Sequence, residues 1–154
     1  MILHFLTKTE KEKTELKLKD QFGISKLPDK ILQTGKEKIR IFTGSFSEKE
    51  IEKLSKTTHI EGIGLYIAKE ENNQLRISIE GTHLLKDQIK RNIFELNEQQ
   101  KEEWLQGQDL QIHTGKKGVF IMEYNGDFIG SGKISEEKIS NFIPKGRRIK
   151  PNVS

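Results

Sequence analysis

There is no cysteine among the 154 residues. Disulfides, thiolate metal sites, iron–sulfur clusters and cysteine nucleophiles are therefore excluded. No apolar run approaches the ~20 residues needed to cross a bilayer. The opening stretch Met1-Ile2-Leu3-His4-Phe5-Leu6 is too short for the apolar part of a signal peptide. It also has no basic segment before it and no small-residue cleavage site after it. A cytoplasmic protein is the expectation. Recognisable catalytic patterns are missing too. The four histidines, at 4, 59, 83 and 113, show no metal-ligand spacing. Gly132-Lys133 is not a phosphate loop, because Gly126 lies six residues before Gly132 instead of five and Ile134 replaces the magnesium-binding Ser or Thr. Gly62-Ile63-Gly64 lacks the third glycine of a dinucleotide fingerprint and precedes a strand pattern instead of following one. No nucleophile elbow is present. The acid pairs Glu102-Glu103 and Glu136-Glu137 read as solvated. No catalytic residue, metal or cofactor is expected, and the chain is read as a non-enzyme.

What is present suffices for a core. Leu, Ile, Val and Phe supply 44 of the 154 residues, above the level of roughly 20% below which disorder is the default. The length fits one domain, or two small ones sharing a core. Net charge is +4, unevenly distributed. Residues 1–40 and 116–154 each carry +4, and residues 41–115 carry −4. Two basic ends around an acidic middle point to a polyanion-binding face.

Pattern and punctuation give the elements. Thr9 and Glu12 have capping-box spacing and open a charged helix to Lys19. Leu27-Pro28-Asp29 breaks it. Lys38 to Phe42 reads as a strand ended by Gly44. Ser47 and Glu50 cap a helix with Ile51 and Leu54 on its apolar stripe. Ile63 to Ala68 is a strand, Glu70-Glu71-Asn72-Asn73 a turn, and Leu75, Ile77 and Ile79 alternate along the return strand. Ile93 to Leu96 is a short strand. Asn97 and Gln100 cap a helix to Leu105, stopped at Gly107. Leu110 and Ile112 mark a further strand. Val119 to Tyr124 and Phe128 to Ile134 form a hairpin around Asn125-Gly126. Within it, Gly130 and Gly132 permit a bulge or a close approach. Ser135 to Asn141 is expected to be helical, and residues 151–154 to fray. Mixed, non-alternating elements argue for an α+β fold with mainly antiparallel or mixed pairing.

The last ~60 residues carry a more specific signal. Glu103-Trp104-Leu105-Gln106-Gly107-Gln108-Asp109-Leu110 is followed by Gly118 to Lys133, and then by Asn141-Phe142-Ile143-Pro144-Lys145-Gly146-Arg147-Arg148-Ile149. This succession resembles the PUA-like RNA-binding domain of the Sun-type RNA cytosine-5 methyltransferase family. The matching pieces are a W-L-x-G-x-x-L helix end, a G-x-G-K strand and a hydrophobic-P-K-G-x-R close. The resemblance implies a PUA-like mixed β pseudo-barrel at residues 91–150, behind a smaller N-terminal α/β unit at residues 1–90. The family's methylase domain uses S-adenosylmethionine and a cysteine nucleophile, so the chain is expected to be an RNA-binding portion without that domain.

Seven residues are candidates for contacting RNA. Lys145, Arg147 and Arg148 surround Gly146, and arginine can fork two hydrogen bonds to a phosphate. Lys116 and Lys117 precede the Val119 strand, and Lys133 follows Gly132. Tyr124 can stack on a base, although an aromatic beside a hairpin turn also suits sheet packing. Trp104 is assigned to the core. The expected function is non-catalytic binding of structured RNA, rRNA or tRNA, assisting RNA modification or ribosome biogenesis. A separate RNA methyltransferase is a candidate partner. The alternative is a protein-interaction adaptor working through the acidic middle.

Overall fold

In a computed structural model, residues 3–28, 30–35, 37–42, 45–57 and 64–150 are described. His59, the expected strand end at Gly44, the strand start at Ile63 and the frayed terminus at 151–154 lie outside them.

The described residues build two sheets and four α-helices. The first sheet has the order β1 (Leu3–Phe5), β2 (Ile31–Thr34), β3 (Lys38–Ile41), β4 (Leu65–Glu71), β5 (Gln74–Ile77), with every neighbouring pair antiparallel. Helix α1 (Lys8–Phe22) links β1 to β2, and α2 (Glu48–Thr57) links β3 to β4. Helix α3 (Ile79–Leu84) follows β5 directly. The second sheet has the order β6 (Ile93–Glu95), β7 (Gly118–Tyr124), β8 (Asp127–Ser135), β9 (Lys138–Asn141), with β6–β7 parallel and the rest antiparallel. Helix α4 (Glu98–Leu105) lies between β6 and β7 in the chain. The fold is thus mixed α+β. With five strands against four, the N-terminal unit carries the larger sheet. No described helix is long and apolar enough to cross a membrane.

The sequence boundary near residue 90 does not divide the core. Leu18 and Phe22 of α1, Ile67 of β4 and Ile77 of β5 share one buried cluster with Val119, Ile121 and Phe128 of the second sheet. Polar ties cross the same junction. Ser131 Oγ donates to the Ile77 carbonyl at 2.7 Å, and His83 Nε2 lies 3.1 Å from the Phe128 carbonyl. Gln21 pairs both ends of its amide with the Leu75 backbone, completing the free edge of β5. A second cluster lies within the C-terminal sheet, around Trp104, Met122, Ile134 and Ile139. Trp104 is fully buried and its ring N–H donates to the Ile129 carbonyl at 2.9 Å. Gly132 is required beneath it, since a Cβ there would stand 2.5 Å from the indole and 2.6 Å from the Ser140 carbonyl.

Several local expectations need correction. The first capping box is Thr7 with Glu10, not Thr9 with Glu12. Starting two residues earlier, the helix buries Leu18 and Phe22 and ends at left-handed Gly23. In α2 the Ser47–Glu50 box forms, but of the two stripe residues Ile51 is buried and Leu54 remains 41% exposed. The turn after β4 is tighter than expected, since Glu70 and Glu71 still belong to the strand and only Asn72-Asn73 turns. Ile79 does not continue β5, because the Ser78 hydroxyl accepts from the Gly81 N–H and caps α3. Leu110 makes an isolated bridge to Ile139, and Ile112 lies in no strand. Ser135 to Asn141 is not helical. Glu136-Glu137 is the turn into β9, where Ile139 gains partners in Ile134 and Leu110 and is wholly buried. Tertiary pairing there overrides a local helical pattern.

Candidate nucleic-acid interface

Strand register creates a basic face on the first sheet. Lys38 of β3 is opposite Lys69 of β4, and Lys69 is opposite Arg76 of β5. Between Ile39 and Arg40 the β3–β4 register slips by one, leaving Ile67 as the extra residue of a bulge. Arg40 consequently stands opposite Tyr66 instead of Ile67. The slip lets Ile67 and Ala68 both face the core while Tyr66 joins the polar side. The Lys38 ammonium and Arg40 guanidinium lie 5.7 and 5.8 Å from the Tyr66 ring centre. Burial holds the Tyr66 phenol pKa above its ordinary value, although Arg76 and Arg40 pull it down. The ring therefore remains a neutral hydroxyl donor and acceptor at physiological pH.

The other wall belongs to the second sheet and the segment after β9. Gly130, Ser131, Phe142 and Arg147 face Tyr66 and Arg76 across a cleft of about 350 Å³. Arg76 lays its guanidinium over the Phe142 ring at 4.3 Å and pairs with Glu71 at 3.2 Å. Arg147 pairs with Glu80 of α3. Helix α3 sits close because residue 81 is glycine, where a Cβ would be 2.4 Å from the Ile67 carbonyl.

The seven candidates from the sequence do not converge. Lys116 and Lys117 lie in the loop before β7, and Lys133 is paired with Val119 at that end of the hairpin. All three are exposed. Thr114 fastens the loop to the β8–β9 turn, its N–H donating to Glu136 O at 2.7 Å and its hydroxyl to Ser135 O at 2.6 Å. Tyr124 is at the opposite end of β7, about 20 Å away at ~3.4 Å per residue, and the Lys101 ammonium is 4.9 Å from its ring centre. The C-terminal cluster also separates. Residues Lys145–Arg147 form a 3₁₀ turn, with Arg147 in the cleft and Lys145 exposed. Arg148 points elsewhere, lying across Gly107 and donating from Nε to the Ile143 carbonyl at 3.0 Å. A Cβ at Gly146 would meet open space, so no close packing demands that glycine.

Sequence reading thus missed Lys38, Lys69, Arg76, Tyr66 and Phe142. One signal was available. Arg76 alternates with Leu75 and Ile77, which places it on the polar face of a half-buried strand. Its opposite neighbours, however, depend on a register and a bulge set in three dimensions. Among the described residues no group of three acidic or histidine side chains could hold a metal. Cations beside ring faces can instead bind phosphates and stack on bases.

Residues 91–149 match the family model described as the methyltransferase RsmF PUA domain. Two curated relatives are both named ribosomal RNA small subunit methyltransferase F. The protein from Psychromonas ingrahamii is 31% identical over 101 residues, covering 62% of this chain and 21% of the relative. That from Shewanella oneidensis is 28% identical over 128 residues, covering 82% of this chain and 26% of the relative. The chain therefore spans about a fifth to a quarter of the length of the curated relatives it matches. The matched stretch takes in β6 to β9, helix α4 and the closing 3₁₀ turn, so residues 91–149 are similar to the PUA domain of the RsmF methyltransferases over the whole of the second sheet.

Proposed function

We propose that this chain is a non-catalytic RNA-binding protein of the cytoplasm, acting on structured RNA such as rRNA or tRNA. The observation that carries the reading is the PUA domain match at residues 91–149. It is supported by relatives whose name states an action on ribosomal RNA, and by the basic and aromatic side chains gathered where the two sheets meet. Phosphate contacts supply most of the affinity, and unpaired bases supply selectivity. The protein assists RNA modification or ribosome biogenesis by holding RNA, with a separate methyltransferase performing any methylation. The 154 residues contain no cysteine to serve as the nucleophile of cytosine-5 methylation.

The test is binding of purified rRNA fragments and tRNA across a salt series. Affinity is expected to fall steeply between about 50 and 200 mM salt, as counterion release requires. Absence of RNA binding, alongside a salt-insensitive protein partner, would replace the reading with a protein adaptor. Incubation with S-adenosylmethionine and RNA should give no methyl transfer.

A further inference from the structure

The row Lys38, Lys69, Arg76 opposes the sheet's own stability. Like charges directly opposite on neighbouring strands repel, and here two such pairs adjoin across β3, β4 and β5. Carboxylates offset the row from its rim. Glu37 lies 3.6 Å from Lys69 and Glu71 lies 3.2 Å from Arg76, and both carboxylates are about half exposed. Across the cleft Arg147 adds a further cation, shared with Glu80. Around the cleft five basic side chains, counting Arg40, face three carboxylates, an excess that suits an anion. Two rings line the same space, Tyr66 from the first sheet and Phe142 from the second.

Resting on the RNA reading above, we propose that the cleft holds one unstacked nucleotide of an RNA strand. Its base lies against Phe142, Tyr66 and the planar Arg76 guanidinium. Its flanking phosphates lie on Lys38, Lys69 and Arg147. The Tyr66 hydroxyl lines the same cleft and is available to the edge of the base. The volume of about 350 Å³ is at the lower end for small-ligand sites, which suits a single nucleotide. A duplex keeps its bases stacked inside and offers this site only phosphates, whereas a loop, bulge or end offers a ring face as well. The nucleotide would bridge the N-terminal sheet and the PUA domain, so neither unit alone completes the site.

The experiment uses the full chain, fluorescence anisotropy, and three RNAs of equal length: a hairpin with an unpaired loop, a fully paired duplex and an unstructured strand. Adenosine and uridine monophosphates are titrated separately by calorimetry. The two RNAs with unpaired bases should bind about tenfold tighter than the duplex. Arg76→Gln with Phe142→Leu should bring that ratio close to one. Lys38→Gln, at an exposed position, should lower affinity for the looped RNA about threefold with no loss of melting temperature, which preserves the test if the double variant folds poorly. An unchanged ratio in the double variant and unchanged affinity in Lys38→Gln would overturn the cleft proposal and leave the RNA reading standing. No affinity for any RNA would overturn both. A monophosphate binding as tightly as the looped RNA, and lost in the same variants, would overturn an RNA strand as the occupant in favour of a free nucleotide.

Discussion

The cleft between the sheets and the lysine cluster of Lys116, Lys117 and Lys133 are both basic, but they are built differently. The lysine cluster stands on a loop and a strand end, exposed, with Lys116 alone near a ring, 5.8 Å from the Phe120 centre, and with Glu136 and Glu137 in the adjoining turn. Such lysines act as separate point charges on long side chains. The cleft is built from paired strands, a bulge and a close-packed helix, and its cations are held over rings or by carboxylates. The first arrangement attracts any polyanion, whereas the second can distinguish among RNA shapes. The difference shows that a basic run in a sequence locates charge, while strand register decides whether charge forms a site.

The largest expected effect comes from breaking the cleft while leaving the lysine cluster in place. Gly81→Val would force α3 off the Ile67 carbonyl, because the obstacle is backbone and cannot turn aside. Overpacking of this kind costs about 3 kcal/mol, or about 10 °C in melting temperature for a chain of this size. Thermal melts together with RNA binding below the transition should show lost preference for unpaired RNA with electrostatic binding retained. Next comes Lys116→Ala with Lys117→Ala and Lys133→Ala. If each lysine meets one phosphate, the slope of log affinity against log salt should fall by about 2 to 3, with binding of paired and unpaired RNA both weakened. Loss confined to one RNA class would contradict the division between the two regions.

Arg147 and Arg148 sharpen the same comparison over two adjacent residues. Arg148→Ala removes a half-buried hydrogen bond to the Ile143 carbonyl and should cost about 1–2 kcal/mol, read as a melting temperature about 5 °C lower. Arg147→Ala removes an exposed ion pair to Glu80 and should cost under ~1 kcal/mol, but should weaken RNA binding more than Arg148→Ala does. The smallest effect is remote from both regions. The Glu10 carboxylate accepts the Thr7 N–H and sits beside His4, and these hold its pKa down at about 2, against 4.5 ordinarily. A depressed folded-state pKa gives stability that is present above pH 4.5 and lost as pH falls towards 2. Glu10→Gln keeps an acceptor for the cap but removes the charge. Melts of both proteins from pH 7 to pH 2 should show a small difference that disappears at the acid end.

Much of the C-terminal fold was legible because its signals are local. Asn97 and Gln100 cap α4 as their spacing requires, and Asn125-Gly126 turns the β7–β8 hairpin with both residues at positive φ. Ser47 and Glu50 were equally readable. Ambiguity entered where two local patterns compete. Thr7 and Thr9 both stand three residues before a glutamate, and the box that forms is Thr7 with Glu10, whose carboxylate also meets His4 of β1. Ser78 reads as a polar strand position until its hydroxyl is seen capping α3. Ser135 to Asn141 carries helix formers, but Ile139 is claimed by β8 and Leu110. The candidate site was least legible. Its cations come from three strands and the post-β9 segment, and the bulge that brings Tyr66 beside Arg40 leaves no mark in the spacing.

Ultraviolet crosslinking of the intact protein to a looped RNA, followed by mass-spectrometric mapping of the attached peptides, tests the central proposal most directly. RNA held where the two sheets meet should leave adducts on Tyr66 or Phe142, with weaker ones in the stretch from Lys116 to Lys133. Adducts confined to α1 and α2, or crosslinks at Tyr124 with none at Tyr66 or Phe142, would contradict an RNA site in the cleft.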